Sequence, residues 1–327
     1  MERINGPMVG LGNALVDVVA MVEPEAITRH TLTLGGMHLV GRAESDVLYA
    51  EIGPGVRQSG GSVANTIAHM RSLDLDCGYV GKVADDDLGA AFRADLDALG
   101  VRFDTPVHDS GAADGTGRCV VLVTPDGERT MSTYLGAAQA LTPRDVETGM
   151  DGAAGLLLVE GYLWDSPEGA ATIEAAARRA KDAGALIALT PSDAGCVDRN
   201  RKAMLDFVSG YCDILVGNEA EMRALSCMDS PRHALDWACV HVARAAVTMS
   251  EKGSLVGDAQ GSEFIAPVPV AKVVDSTGAG DAYAAGFLGG LAQGRGVAEA
   301  GQVGAKLAAT VITHPGARQV NAEAAGA

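Results

Sequence analysis

Short apolar runs alternate with alanine-rich amphipathic stretches through most of the chain, the pattern of βαβ units wound around a parallel sheet. Leu156 to Val159 (LLLV) precedes a helical stretch near Glu168 to Ala183, and Leu186 to Leu189 (LIAL) follows it. Ile214 to Val216 then leads into a helix over Asn218 to Leu225. The crossovers have the length that right-handed connections need. After the Gly60-Gly61 pair, Val63, Ile67 and Met70 recur at helical spacing behind Ser62, a side chain suited to capping. Two segments depart from this pattern and read as β structure without intervening helices. One covers Ala26 to Val40. The other spans Phe103 to Tyr134, where RCVVLVT (Arg118 to Thr124) and RTMSTY (Arg129 to Tyr134) flank the turn signature Pro125-Asp126-Gly127 and form a hairpin. The expected fold is α/β, with a mostly parallel central sheet and a small β-sheet lid. Such a lid would cover the carboxyl ends of the strands, where open α/β sheets bind ligands. Residues 1–14, 42–103 and 136–327 are assigned to the core, and 15–41 and 104–135 to the discontinuous lid. Only Asn321 to Ala327 read as a loose tail.

With 327 residues, 47% of them hydrophobic, the chain is long enough for one large α/β domain with a smaller appendage. Its 42 acidic and 25 basic residues leave a net charge of -17 with no basic run, which argues against nucleic acid as a partner. The amino terminus lacks the charged, apolar and small-residue succession of an export signal. No stretch approaches the roughly 18 uninterrupted apolar residues of a spanning helix. Six cysteines without CxxC spacing read as reduced thiols, and a cytoplasmic location is expected.

The segment richest in chemistry is Asp275 to Asp281, DSTGAGD, followed by the helical AYAAGFLGGLA. Gly278, Ala279 and Gly280 let backbone N–H groups converge just ahead of a helix, which makes an anion hole. Phosphoryl transfer needs such donors for the charge spread over the moving oxygens. Asp281, in the first helical turn, can accept the proton of an attacking hydroxyl, or can serve merely as a cap.

DSTGAGDAYAAGF resembles the carboxyl-terminal signature of the ribokinase-like (PfkB) carbohydrate and nucleoside kinases. QSGGSVANTIA (Gln58 to Ala68) resembles the family's diglycine signature, and GYVGKVADDDLG (Gly78 to Gly89) the stretch that follows it. The similarity runs from about Gly10 to Pro315 and implies a three-layer α/β/α sandwich with a small β-sheet lid, in agreement with the pattern of runs. It implies an ATP-dependent kinase in which Asp281 is the general base and the Gly278, Ala279, Gly280 backbone cradles the phosphate. It further implies that Asp17 holds substrate hydroxyls in a pocket shared with Asn13, Gly60, Gly61 and Asn65. A carboxylate bonds a vicinal diol bidentately, and paired glycines let the main chain approach a sugar ring.

Asn218 and Glu221, three apart in GNEAE, match the family's NxxE motif, which positions hydrated Mg²⁺; a helix cap with a solvated glutamate is the plainer reading. TMSEKG supplies Thr248, Ser250, Lys252 and Gly253 as nucleotide contacts by the same resemblance, or else an exposed loop. Arg129, on the hairpin, is expected to swing toward phosphate on closure. The resemblance also implies a monovalent cation, K⁺, near Asp275, an adenine-packing helix over Gly301 to Ile312, and a homodimer built on an exposed lid strand.

Gly10 to Leu15 invites a dinucleotide-binding reading, but the third glycine is missing and no helix pattern follows. No GxxxxGK[ST] run exists, so a P-loop kinase is excluded as well. A non-catalytic sensor on the same fold is the other class of function, and the intact GAGD nest argues against it. GNALVD and LGAAQAL (Leu135 to Leu141) resemble adenosine-kinase-type members, which makes a nucleoside 5′-hydroxyl the expected acceptor and a sugar, as in fructokinases and ribokinases, the alternative. Leu15, Met37, Tyr162, Leu163 and Trp164 are candidate walls for the base, or ordinary core.

Overall fold

A computed structural model describes residues 4–53, 55–109, 114–125, 128–150 and 154–318. From the amino end the chain runs β1 (Met8–Leu11), β2 (Leu15–Met21), α1 (Pro24–Arg29), β3 (Met37–Leu39), α2 (Arg42–Ile52), β4 (Val56–Gly60) and α3 (Ser62–Arg71). It continues through β5 (Cys77–Val80), α4 (Asp87–Ala98) and the hairpin of β6 (Gly117–Val123) and β7 (Arg129–Tyr134). After α5 (Pro143–Gly149) come β8 (Leu156–Glu160), α6 (Gly169–Asp182), β9 (Leu186–Thr190), α7 (Ala194–Gly210), β10 (Ile214–Asn218) and α8 (Glu219–Ser226). The remainder is α9 (Pro231–His241), β11 (Arg244–Thr248), β12 (Ser254–Asp258), β13 (Gly261–Ile265), α10 (Ala279–Ala292) and α11 (Val297–Val311).

Among the described residues, eight strands form the core sheet in the order β13-β12-β11-β10-β9-β8-β1-β5. Pairing is parallel from β5 to β11 and antiparallel for β12 and β13 at one edge. Successive side chains of a strand point to opposite faces. Leu157, Val159 and Leu215 accordingly pack on the layer of α5 to α9. Their neighbours Leu156, Leu158 and Val216 pack on the layer of α3, α4, α10 and α11. Both faces are covered, which is why these strands read as unbroken apolar runs. The three-layer sandwich expected from the sequence is therefore the fold.

The second sheet has the order β3-β7-β6-β2-β4, and it differs from expectation in three respects. The stretch read as β over Ala26 to Val40 contains only β3; α1 precedes it, with Pro24 at its first turn, Glu25 near its start and Arg29 near its end. Ile27, the buried residue of that helix, packs with Leu48, Val120 and Leu122, so helix formation is what buries this large apolar side chain. Residues 103–109 contribute a single isolated bridge, His108 to Ala84, and no sheet strand. Finally β4, assigned to the core stretch 42–103, pairs antiparallel with β2 in the small sheet. Its last residue, Gly60, opposes Leu15, so the diglycine stands where the small sheet meets α3. Asp126 and Gly127 of the turn signature and the tail from Asn321 lie outside the described residues. No helix among the described residues is long and apolar enough to cross a membrane.

Candidate active site

The carboxyl ends of β1, β8, β10 and β11 lie side by side, and the polar residues of interest follow from them. Glu160 ends β8 and is buried. Its Oε1 accepts the Asn13 N–H at 2.8 Å and its Oε2 accepts the Val63 N–H at 3.2 Å. One carboxylate thus clamps the turn after β1 to the amino end of α3, a position that favours negative charge. Burial nevertheless pushes its carboxyl up to about 7, the two N–H groups opposing the rise. A buried donor stripped of its acceptor costs about 1–3 kcal/mol, so Glu160→Leu should lower unfolding free energy by about 2–6 kcal/mol in urea titration. Loss within about 0.5 kcal/mol, the range of inconsequential surface changes, would show that the clamp holds nothing.

Asp281 lies in the first turn of α10, behind Gly278 in the left-handed conformation (φ 75°). The earliest N–H groups of a helix have no partner within it. A Cβ built on Gly280 meets no atom within 4 Å, so this end of the helix faces open space. Ser62 Oγ donates to Asp281 Oδ1 at 2.7 Å, and Asn65 Nδ2 donates to Oδ2 at 3.1 Å. Burial raises the carboxyl to about 6, while the two donors and the Arg318 guanidinium restrain it. Ser62, expected to cap α3, does not: the cap is Gly61, at φ 94°, and the serine hydroxyl turns to Asp281 instead.

Asp17, on β2, completes the pocket from the small sheet. Burial raises its carboxyl to about 7, Arg318 opposes the rise, and the charge of Asp281 adds to it. The two aspartates therefore belong to one electrostatic site. A Cβ on Gly60 would sit 2.3 Å from Asp17 Cγ, and one on Gly61 2.3 Å from the Asn13 carbonyl oxygen. Only glycines permit this backbone to lie against both groups.

Arg318 has no counterpart in the motifs read from sequence. It is buried, and its Nε donates to Asn65 Oδ1 at 2.8 Å, its Nη1 to Ser59 Oγ at 2.6 Å. Nη1 also lies 3.4 Å from Asp95 Oδ2. Glu160 and Ser62 were equally unmarked, although an acidic residue closing the run LLLVE was a signal that could have singled out the first.

Asp275 is held by its neighbours. Its Oδ1 accepts the Thr277 N–H at 2.8 Å, its Oδ2 accepts the Gly316 N–H at 2.5 Å, and Arg129 forms an ion pair with it. Arg129 also bonds the Thr277 hydroxyl, so it already rests against the DSTGAGD segment.

Asn218, at the end of β10, and Glu221 form a reciprocal capping box: Asn218 Oδ1 accepts the Glu221 N–H at 2.9 Å, and Glu221 Oε2 accepts the Asn218 N–H at 3.0 Å. Glu221 is buried, not solvated, and desolvation raises its carboxyl to about 7. Thr248 is the register partner of Asn218 on the adjoining strand, which sets the two segments together. Ser250 and Lys252 are exposed in a tight turn closed by the Met249 N–H to Gly253 carbonyl bond at 2.8 Å.

Several residues named as candidate ligand contacts also make packing contacts. Leu163 is buried in the core, and Trp164 meets Phe207 edge-on at 5.4 Å between ring centroids. In α11, Gly301 faces Val256 and Ile265 while Gly304 faces Tyr283 of α10, so the small residues serve close approach of helix to helix and sheet. Leu15 is buried and Met37 largely exposed.

A parallel α/β core that gathers an open helix end and a carboxylate beneath a small sheet with a second carboxylate is the framework of a phosphotransferase with an alcohol acceptor. The chain belongs to the pfkB family of carbohydrate kinases, whose model matches residues 33–324. It is 39% identical to the adenosine kinase from Sinorhizobium meliloti, with a TM-score of 0.89 and 98% of each chain covered. A probable sugar kinase from Rhizobium etli matches with a TM-score of 0.89 at 36% identity, over 99% of this chain and 98% of the other. The curated adenosine kinase of Saccharomyces cerevisiae is 28% identical over 96% of both chains. Membership of this kinase family brings ATP as phosphoryl donor, with Mg²⁺ as its typical companion.

Proposed function

We propose that this protein transfers the γ-phosphoryl group of ATP to the primary hydroxyl of an adenosine-like nucleoside, with Asp281 as general base. The observation that carries this is Asp281 itself, partly buried in the first turn of a helix that opens to space, its two oxygens aligned by Ser62 and Asn65. A carboxyl near 6 is ionised at neutral pH yet basic enough to draw a proton as the new bond forms. The acceptor O–H gives its proton to Asp281, its oxygen bonds the γ phosphorus, and the bond from phosphorus to the bridging oxygen breaks to release ADP. Backbone N–H groups of Gly278, Ala279 and Gly280 stabilise the equatorial charge.

Asp17 holds the vicinal diol, while Gly60 and Gly61 let the ring lie on the backbone and Asn13 and Asn65 complete the pocket. Arg129, already at the edge of the phosphate nest, screens charge there, and the small sheet acts as a lid. Thr248, Ser250, Lys252 and Gly253 line the approach of the nucleotide. Asn218 and Glu221 offer one carboxylate, a donor set suited to hydrated Mg²⁺ held through water. When bound, that ion neutralises phosphate charge. A K⁺ ion would be held by backbone groups near Asp275, whose carboxylate is paired with Arg129.

The likeness to the S. meliloti adenosine kinase supports the nucleoside; that to the R. etli protein supports a sugar as the second reading. ADP release measured over nucleosides, pentoses, hexoses and sugar acids separates them. Adenosine should give the highest kcat/KM, above inosine. Turnover confined to free sugars would overturn the nucleoside assignment.

A further inference from the structure

An asparagine amide has one accepting and one donating end, and which end faces a neighbour is decided by its other contacts. Here Arg318 Nε, which can only donate, holds Asn65 Oδ1 at 2.8 Å. The amide nitrogen must then face Asp281, where it lies 3.1 Å from Oδ2. In the flipped amide, oxygen would oppose carboxylate oxygen. The guanidinium is itself held by Ser59 Oγ on β4 and Asp95 on α4, and the backbone just before it is tied down where the Gly316 N–H bonds Asp275 and the Ala317 carbonyl accepts from His69 Nε2 at 2.9 Å.

We propose that Arg318 is a positioning residue for phosphoryl transfer, locking the Asn65 amide so that it steadies the carboxylate of Asp281 and keeps its second hydrogen for an acceptor hydroxyl. This rests on the reading of Asp281 as the base. A side chain that merely filled the interior would do nothing for the orientation of the amide. The relay also links the small sheet, through Ser59, to the first turn of α10.

The test is a double-mutant cycle of Arg318→Met and Asn65→Ala, read as kcat and KM on protein whose folding is checked by circular dichroism. Members of one hydrogen-bond network are non-additive, so Arg318→Met should lower kcat about tenfold or more in the wild-type background and less than about threefold beside Asn65→Ala, with KM for ATP nearly unchanged. Equal losses in both backgrounds, or losses carried by the KM for ATP, would overturn the proposal. Should Arg318→Met fail to fold, Arg318→Lys enters the same cycle; its compact ammonium keeps the charge but lacks the planar fork that spans Asn65 and Ser59. A near-normal Asp281→Asn enzyme would instead strike at the base assignment, so the two failures are distinguishable.

Discussion

Asp281→Asn will bind acceptor and ATP with KM values near those of the wild type and turn over about 10²- to 10⁴-fold more slowly, the contribution of a positioned base. The substitution keeps the volume of the side chain and the small-residue turn ahead of α10. What it removes is the group able to take the hydroxyl proton; the new amide can turn its oxygen to the Asn65 Nδ2 donor and its nitrogen to the Ser62 hydroxyl, so the local hydrogen bonds are kept. In the wild type, kcat/KM should fall as pH drops through about 6, because the protonated carboxyl cannot accept. Asp17, raised to about 7, feels the same charge, so the acid limb is a property of the coupled pair. Stopped-flow turnover and equilibrium binding of both substrates provide the measurement. Turnover of the variant within tenfold of the wild type would remove Asp281 from the mechanism.

Asp17→Ala is expected to act on the other half of the reaction, raising KM for the acceptor about 10²-fold or more while leaving KM for ATP in place. Two hydrogen bonds to a charged acceptor contribute about 1.5–3 kcal/mol each, and every 1.4 kcal/mol is about tenfold in affinity. The diol assignment has its own signature: removing one ribose hydroxyl from the substrate should weaken the wild type strongly and the variant little. An acceptor KM unmoved by Asp17→Ala would place the diol elsewhere.

These two carboxylates were both visible in the chain as strings of letters, Asp281 at the end of DSTGAGD and Asp17 in GNALVD. The glycines beside them were visible too, since a left-handed turn and a close backbone approach leave few other residues admissible. Glu160, Ser62 and Arg318 were not. Their partners stand 97 to 259 residues away along the chain, and nothing local distinguishes a clamping glutamate from any strand-end acid. Trp164 and Leu163 were ambiguous in another sense: an aromatic near a strand end suits a ligand wall or a core equally, and the contact with Phe207 is of the packing kind.

By itself, then, the amino-acid sequence determined the layered α/β plan, because strands buried on both faces must be apolar throughout and helices covering them must be apolar on one side. It also determined the small-residue turn ahead of α10, proposed to bind phosphate, whose small residues and acidic end are a local requirement. The assignment of β4 to the small sheet, the union of Asp17 with Asp281, and the Arg318 to Asn65 to Asp281 relay were decided only by the tertiary structure. Each depends on groups from distant segments meeting at hydrogen-bond range, and hydrogen-bond geometry is a property of positions in space that no spacing along the chain encodes.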